Sequence, residues 1–231
     1  MIPKDTPLRR VRSFVRRDSR MTDAQRRVLQ TLWPTFGLMK EDGMVDFQRI
    51  FGRKAPVILE IGFGSGLSLS EIAKQHPEKD FIGVETYHPG IGSLLLEIEK
   101  ENIQNIRIYY ADAVEVLQEC ISSQSLDGIQ LFFPDPWPKR KHHKRRIIQP
   151  EFVNILADKL KTAGVLHLAT DWEHYAQQMM QVLSKSDKLI NIAGAGQFAT
   201  RSAQRPVMTK FESRGTKSGR AIWELQFARC D

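Results

Sequence analysis

The stretch that decides the fold is VILEIGFGSG, residues 57–66, in which a short apolar run passes directly into three glycines. The β-branched and leucine residues of this run are typical of a buried strand, and the amphipathic pattern after the last glycine predicts a helix. Gly62, Gly64 and Gly66 allow a sharp turn and a close approach of a ligand to the backbone. The stretch therefore predicts a nucleotide-binding turn between strand and helix, although a glycine-rich turn can also serve packing alone.

The same alternation of apolar runs and amphipathic stretches continues along the chain, so further strands and helices are expected. Repeated strand-helix-strand units predict an α/β fold with a mostly parallel sheet covered by helices on both faces. Ligands bind such sheets at the carboxyl ends of the strands. Seven strands are predicted, and they correspond to the runs VILEIGF, FIGVET, IRIYYAD, DGIQLFFPD, VLHLATD, LINIAG and AIWELQF.

The chain of 231 residues, 41% of them hydrophobic, is long enough for one well-buried domain. Residues 1–30 are rich in Arg and lack apolar periodicity, which predicts a weakly structured basic arm before a single domain over residues 31–231.

Neither a secretory signal nor a run of eighteen apolar residues is found, so a cytoplasmic protein that does not enter membranes is expected. Cys120 and Cys230 give no support to a disulfide or zinc site. The sequence leaves both a monomer and a homodimer open.

Positive charge is concentrated in three segments of the chain. Residues 1–27 contain nine Lys and Arg against three Asp and Glu, residues 139–150 contain six against none, and residues 201–220 contain six against one. Because the net charge of the whole chain is only +7, the remainder is acidic. Three basic patches on an acidic body favour a polyanionic partner, whereas a single basic run is as often a solvated loop.

Acidic residues accompany three of the predicted strands. Glu60 precedes the glycines, Glu85 ends the second strand, and Asp112 follows the third. Leu67 occupies the last glycine position of the dinucleotide pattern G-x-G-x-x-G, and the G-K-[ST] of a phosphate-binding loop does not occur. Carboxylates in these places suit ribose hydroxyls, an adenine edge and a cationic group. Together they predict S-adenosylmethionine as the ligand, although each acid alone is more often a helix cap or a solvated strand end.

The segment FFPDPWPKRKHHKRR, residues 132–146, follows the fourth predicted strand. Its alternating prolines fix φ and stiffen the backbone, so Asp135 is predicted to be held beside the ligand pocket. The eight residues that follow the last proline are all basic or histidine, and they are predicted to contact RNA phosphates. The adjacent His142 and His143 lack the spacing of metal ligands, so no metal is predicted.

Three motifs together resemble the bacterial tRNA (guanine-N7)-methyltransferases: ILEIGFGSG, FFPDPWPKRKHHKRR and VMTKFESRG. The resemblance runs from about residue 30 to about residue 227, and the second and third motifs are not general features of methyltransferases. It implies a Rossmann-like class I methyltransferase fold and S-adenosyl-L-methionine as the methyl donor, with S-adenosylhomocysteine as product. The implied target is guanosine 46 in the variable loop of tRNA.

The resemblance also implies three groups of site residues. The expected cofactor-binding residues are the loop glycines Gly62, Gly64 and Gly66 and the acids Glu60, Glu85, Asp112 and Asp135. Asp135 is also the expected catalytic residue. Substrate binding falls to Lys139, Asp171, Thr209, Lys210, Phe211 and Glu212. RNA binding falls to Lys141, His142, His143, Lys144, Arg145 and Arg146. The chain departs from the family pattern at Arg220, where His is common.

Methylation of guanine N7 makes specific demands on a site. N7 has an in-plane lone pair and no proton, so the transfer needs alignment with the methyl group and sulfur rather than a general base. Asp135 or Glu212 could stabilise the positive charge that develops on guanine, or accept hydrogen bonds from its N1–H and 2-amino group. Two alternatives stay open: a methyltransferase of this fold acting on another RNA or on protein, and a non-catalytic RNA-binding module.

Overall fold

The computed structural model of the protein describes residues 20–202, 205, 212 and 219–231. Its helices are α1 Asp23–Phe36, α2 Phe47–Phe51, α3 Leu67–Gln75, α4 His88–Glu101, α5 Ala113–Glu119, α6 Pro150–Lys159 and α7 Glu173–Leu183. Its strands are β1 Gly37–Leu38, β2 Val57–Ile61, β3 Asp80–Glu85, β4 Ile106–Tyr110, β5 Leu126–Phe132, β6 Leu160–Thr170, β7 Leu189–Asn191 and β8 Trp223–Arg229. Short 3-10 helices cover Lys40–Asp42 and Arg140–Arg145. None of the helices in these ranges is long and apolar enough to cross a membrane.

Two sets of predictions fall on parts of the chain outside the described residues. The first is most of the basic arm, over residues 1–19. The second is a set of three expected substrate residues, Thr209, Lys210 and Phe211. Both therefore remain predictions from the sequence.

The strands form one sheet in the order β1-β4-β3-β2-β5-β6-β8-β7. Neighbours from β1 to β6 pair in parallel, whereas β8 pairs antiparallel with both β6 and β7. The predicted α/β fold with a mostly parallel sheet is confirmed, and all seven predicted strands are present. The eighth strand, β1, is too short to give a periodic signal in the sequence, since it has only two residues.

Helices cover both faces of the sheet, as predicted. In β3, Phe81 belongs to the apolar core under α1, α3 and α4, whereas Ile82 and Val84 belong to the core under α5, α6 and α7. Successive side chains of a strand point to opposite faces, so one apolar strand contributes to both cores. The two cores hold the strands in place, and the strand ends then fix the position of the loops at the carboxyl edge.

Helix α1 begins inside the segment that the sequence predicts as a basic arm. Thr22 accepts a hydrogen bond from the N–H of Gln25, whose side chain accepts in turn from the N–H of Thr22. Val28 is fully buried, and the amide of Gln25 donates to the carbonyl of Pro89 in α4. Residues 23–30 thus pack on the body of the protein, because a capping box and buried apolar side chains accompany their arginines.

Candidate active site

The predicted acidic residues lie along the carboxyl edge of the parallel strands. Glu60 is the next-to-last residue of β2, Glu85 is the last of β3, and the others follow the ends of β4, β5 and β6, namely Asp112, Asp135 and Asp171. Because the strand order is β4-β3-β2-β5-β6, the sequence places them in a row with Asp112 at one end and Asp171 at the other. The fold therefore brings the predicted cofactor acids to one edge of the sheet.

The glycine loop after β2 presents an open backbone at this edge. Gly62, Gly64 and Gly66 have φ values of 71°, 61° and 77°, in the left-handed region that favours glycine. A Cβ atom on Gly66 would lie 2.6 Å from Cβ of Leu94, so this glycine serves packing against α4. A Cβ atom on Gly62 or Gly64 would have no atom of the described residues within 4 Å. These two glycines form a cradle that a ligand can approach closely.

Glu85 fixes the shape of the glycine loop. Its Oε2 accepts from the N–H of Gly64 at 2.8 Å, and its Oε1 accepts from the N–H groups of Thr86 and Tyr87 at 2.6 and 2.9 Å. Burial raises the pKa of Glu85 in spite of these three hydrogen bonds. The carboxyl group therefore orders the loop from within the site, and its place beside the cradle is compatible with the predicted ribose contact.

Glu60 is a buried acid without full hydrogen bonding. It is 3% exposed, and its Oε2 has no hydrogen-bond partner among the described residues. Burial and the charge of Glu85 raise the pKa of Glu60 to about 8, while the charge of Arg205 opposes this rise. A buried carboxyl oxygen without a hydrogen-bond partner costs stability, and carboxyl groups with strongly shifted pKa values are concentrated at functional sites. A carboxyl group at this position would bind a cationic ligand favourably, because it can ionise beside the positive charge.

Asp112 caps a helix and borders a cavity. Its Oδ1 accepts from the N–H of Val114 at 2.9 Å and so caps the N-terminus of α5. A cavity of about 600 Å³ beside it is lined by Thr86 and Ala111 at the ends of β3 and β4, and by Trp33 of α1. The capping alternative considered for this acid is therefore correct, and the cavity leaves the predicted adenine contact compatible with the geometry.

Asp135 lies on a turn with a constrained backbone. Phe133 and Trp137 on either side of it have φ values of 52° and 43°, which non-glycine residues rarely adopt. The N–H of Phe133 donates to the carbonyl of Ala169 at 2.8 Å and holds the start of the turn against β6. Asp135 itself is exposed. The turn thus presents the carboxylate at the surface of the site, and tertiary hydrogen bonds fix it in addition to the prolines.

Arg146 corrects one of the predictions for RNA binding. Only 1% of its surface is exposed, and its Nε donates to the carbonyl of Pro136 at 2.8 Å. Its Nη1 contacts His174 and Gln178, and its guanidinium carbon lies 4.7 Å from the ring centroid of Tyr175. A guanidinium that is enclosed in this way does not face RNA phosphates. Arg146 instead anchors the Asp135 turn to α7.

The other predicted RNA-binding residues remain accessible to different degrees. The guanidinium carbon of Arg145 lies 4.9 Å from the ring centroid of Trp137, and the ring of His142 meets the same indole edge-on at 5.8 Å. Loss of solvation and the surrounding cations lower the pKa of His142, so its charge is reduced near neutral pH. His143 packs 4.9 Å from the ring of His174. The exposed cations of this segment are Lys139, Arg140, Lys141 and Lys144.

Glu212, expected to contact the substrate, is buried and bound by arginines. Arg205 donates from Nη1 and Nη2 to its two carboxylate oxygens at 2.9 and 3.0 Å. Nε of Arg201 donates to Oε1 of the same carboxylate at 3.0 Å. Asp171, which follows the end of β6, forms an ion pair of 2.8 Å with Arg220, the residue that departs from the family pattern. Both carboxylates are therefore held by arginines of the third basic segment.

Sequence reasoning missed several residues of this region. Arg205 is fully buried, yet in the sequence it is one of six basic residues in a polar stretch and gives no signal of its own. His167 and Glu224 gave a usable signal, because each is a polar residue inside an apolar strand run, and their side chains meet at 2.9 Å. Gly90 was also missed, although a Cβ atom there would lie 2.0 Å from the carbonyl oxygen of Gly64.

The parallel sheet, the glycine loop and the row of acids define a Rossmann-like class I methyltransferase fold. The solved 16S rRNA methyltransferase KamB shares this fold with a TM-score of 0.58 at 12% identity, over 81% of this chain and 95% of that one. The family model described as "Putative methyltransferase" matches residues 54–225. The chain is 51% identical to a tRNA (guanine-N(7)-)-methyltransferase of Idiomarina loihiensis, over 95% of this chain and 89% of the relative. It is 51% identical to a protein of the same name from Alcanivorax borkumensis, over 96% and 92%.

The chain belongs to the family of the tRNA (guanine-N(7)-)-methyltransferases. The resemblance to this family, which the motifs ILEIGFGSG, FFPDPWPKRKHHKRR and VMTKFESRG indicate, is thereby confirmed. The roles of the individual residues within the site remain predictions.

Proposed function

We propose that the protein transfers the methyl group of S-adenosylmethionine to N7 of a guanosine in tRNA, at position 46 of the variable loop. One juxtaposition carries the proposal: the open cradle of Gly62 and Gly64 with buried Glu60 lies on the strand next to the one that leads into Asp135 and the exposed lysines. Relatives with about half of their residues identical bear the name of this activity. A tRNA substrate would place the reaction in the cytoplasm.

The residues at the cradle fit the chemistry of S-adenosylmethionine. The open backbone at Gly62 and Gly64 allows close approach, and the buried Oε2 of Glu60 suits the cationic character of the ligand. Glu85 would accept from ribose hydroxyls, and Asp112 would contact the adenine edge. When bound, the cofactor supplies a methyl group on a positively charged sulfur.

Asp135 would act by position and charge rather than as a base, because guanine N7 carries no proton to remove. The carboxylate sits on a turn that is held at Phe133 and Pro136, so little reorganisation is needed when the base arrives. As positive charge moves onto the purine, a fixed carboxylate stabilises it. Glu212 would keep its two hydrogen bonds to Arg205, while the more exposed Arg201 would give way so that the carboxylate can accept from guanine N1–H and the 2-amino group.

The tRNA backbone would lie over the exposed part of the basic segment. The side chains of Lys141 and Lys144 reach solvent, and Arg145 is held at the edge of Trp137. Neutralisation of phosphates by such residues releases counterions and supplies much of the affinity for a nucleic acid. Lys139 and Asp171, with Thr209, Lys210 and Phe211, are proposed to contact the substrate nucleotide.

The test is a methyl-transfer assay with a product readout specific for N7. Purified protein is incubated with labelled S-adenosylmethionine and an unmodified tRNA transcript, and the product is treated with borohydride and aniline, which cleave at N7-methylguanosine. A transcript with adenosine at the target position is the matched control. Label and cleavage at the target support the proposal. Label without cleavage indicates another methylated atom, and no label indicates a non-catalytic RNA-binding protein.

A further inference from the structure

A cluster of buried charges joins β6 and β8 to the third basic segment. Arg205 is 0% exposed, and Glu212, Glu224 and His167 are 2 to 3% exposed. Nε2 of His167 lies 2.9 Å from Oε2 of Glu224, and the N–H of Ser202 donates to the same oxygen at 3.1 Å. Burial raises the pKa of Glu224, but the hydrogen bond to His167 and the charge of Arg205 outweigh burial and hold this pKa below its ordinary value. Glu224 is thus an ionised group fixed inside the fold.

The guanidinium of Arg205 bridges two carboxylates. Nε and Nη2 donate to Oε1 of Glu224 at 3.0 and 2.7 Å, while Nη1 and Nη2 donate to the two oxygens of Glu212 at 2.9 and 3.0 Å. The planar fork of arginine meets a carboxylate with two parallel hydrogen bonds, which sets the orientation of the carboxylate as well as its distance. Arg205 therefore links the carboxylate of Glu212 to Glu224 in strand β8 and restricts its movement.

This bridge lies at the site rather than in a remote part of the core. The guanidinium carbon of Arg205 is 5.3 Å from the ring centroid of Phe132 and 5.4 Å from that of Phe133, the two residues where β5 passes into the Asp135 turn. The charge of Arg205 also acts on Glu60 at the cofactor cradle. Arg205 thus lies between the predicted cofactor side and the predicted base side.

Burial of a charge cluster is a weak source of stability, since apolar side chains of similar volume usually serve as well or better. One carboxylate, Glu224, would suffice to pair a structural arginine at this place. The second carboxylate belongs to the motif that is expected to contact the substrate. We propose that Arg205 is a positioning residue that, braced by Glu224 and His167, holds the carboxylate of Glu212 in the orientation in which it meets the guanine. This inference rests on the proposed function.

The decisive variant separates charge balance from positioning. Arg205→Gln alone leaves the buried carboxylate of Glu212 with Arg201 and that of Glu224 with His167. It is expected to lower the melting temperature, which does not discriminate between the two roles. The double variant Arg205→Gln with Glu224→Gln removes the surplus charge and is expected to regain most of that stability. If Arg205 orients Glu212, kcat with tRNA in the double variant stays about 100-fold below wild type, because a misplaced group loses the alignment that catalysis requires. KM for tRNA is expected to change little, because the exposed lysines are intact.

A matched control is available at the other end of β8. Nη1 of Arg229 donates to the carbonyls of Ala157, Asp158 and Leu160 at 2.7 to 3.0 Å, far from the carboxyl edge of the parallel strands. Arg229→Gln is expected to lower the melting temperature and leave kcat unchanged.

A second readout uses a transcript with inosine at the target position, which lacks the 2-amino group. Wild type is expected to prefer guanosine, and the double variant to lose that preference.

The outcomes distinguish the two levels of inference. A double variant that regains wild-type kcat along with its stability, or that keeps the preference for guanosine, would overturn the positioning role of Arg205 alone. A wild-type protein that produces no aniline-sensitive tRNA would overturn the proposed function, and this inference with it. Low kcat at restored stability, with the guanosine preference lost, supports the proposal.

Discussion

The Nε of Arg146 donates to the carbonyl oxygen of Pro136 at 2.8 Å and so joins the end of the basic segment to the turn that carries Asp135. Lys144, two residues earlier, is exposed to solvent, whereas Arg146 is enclosed between the turn and α7. Two cations of one basic run thus have separate roles. The side chain of the first is open to solvent, and that of the second holds the turn.

Substitutions at Arg146 and Lys144 are expected to have different effects on tRNA binding. Lys144→Gln should reduce the salt dependence of the tRNA Kd by roughly 0.7 to 0.9 in the log–log slope, since one phosphate contact is lost. Arg146→Gln should leave that slope unchanged but lower both kcat and the melting temperature, because the turn loses its anchor. Binding titrations over a range of salt concentrations measure both effects. An equal loss of slope in the two variants would show that Arg146 reaches the RNA.

Asp135→Asn is expected to reduce turnover more than tRNA affinity. The amide keeps the shape of the carboxylate but loses the charge that stabilises the cationic purine, so the loss should fall on the transition state. Single-turnover rates, together with the Kd values for tRNA and for S-adenosylmethionine, separate these quantities. A loss of cofactor affinity as large as the loss of rate would make Asp135 a binding residue instead.

Glu60→Gln is expected to stabilise the ligand-free protein in a pH-dependent way. The pKa of Glu60 is about 8 in the folded protein against 4.5 ordinarily, so the unfolded chain releases this proton first as the pH rises. The folded state therefore loses stability between about pH 4.5 and pH 8, by on the order of a few kcal/mol, and glutamine removes the loss. Melting temperatures of the two proteins should coincide near pH 4 and diverge toward pH 8. A difference that does not change with pH would contradict the raised pKa.

Gly90→Ala is expected to weaken S-adenosylmethionine binding by about tenfold or more, equivalent to about 1.4 kcal/mol. A Cβ atom at Gly90 would lie 2.0 Å from the carbonyl oxygen of Gly64, so the loop or the helix must shift. Gly92→Ala is the matched control in the same helix, because its Cβ would meet the side chain of Gln25 at 2.8 Å, on the side of α1. Calorimetric titration with the cofactor should show weaker binding for Gly90→Ala alone. Similar affinities in both variants would remove α4 from the support of the cradle.

Most of the fold could be predicted because its signals are local. Apart from the two-residue β1, each parallel strand has five or more residues and is mostly apolar, and an acid at the end of such a run in the sequence becomes an acid at the edge of the sheet. The sequence does not reveal the start of α1 within the predicted arm, for the opposite reason. Its arginines suggested a solvated arm, while the capping box at Thr22 and the contact of Gln25 with α4 favour a packed helix.

Whether an individual Lys or Arg side chain is buried or exposed could not be predicted from the sequence. Arg146 and Arg205 each stand among other basic residues, and their burial depends on partners that are distant along the chain, such as Gln178 and Glu224. A basic run reports the average charge of a segment, but the three-dimensional fold decides which of its members faces inward. The polar pair His167 and Glu224 was readable in principle, since two polar residues inside buried strands need partners.

The two hydrogen bonds that fix the Asp135 turn, from Phe133 to Ala169 and from Arg146 to Pro136, make the stretch between them an exchangeable cassette. Its exposed cations, Lys139, Arg140, Lys141 and Lys144, could be replaced as a block while both attachment points keep Asp135 in place. Substrate preference could then be redesigned by grafting, without rebuilding the part of the protein that performs the reaction.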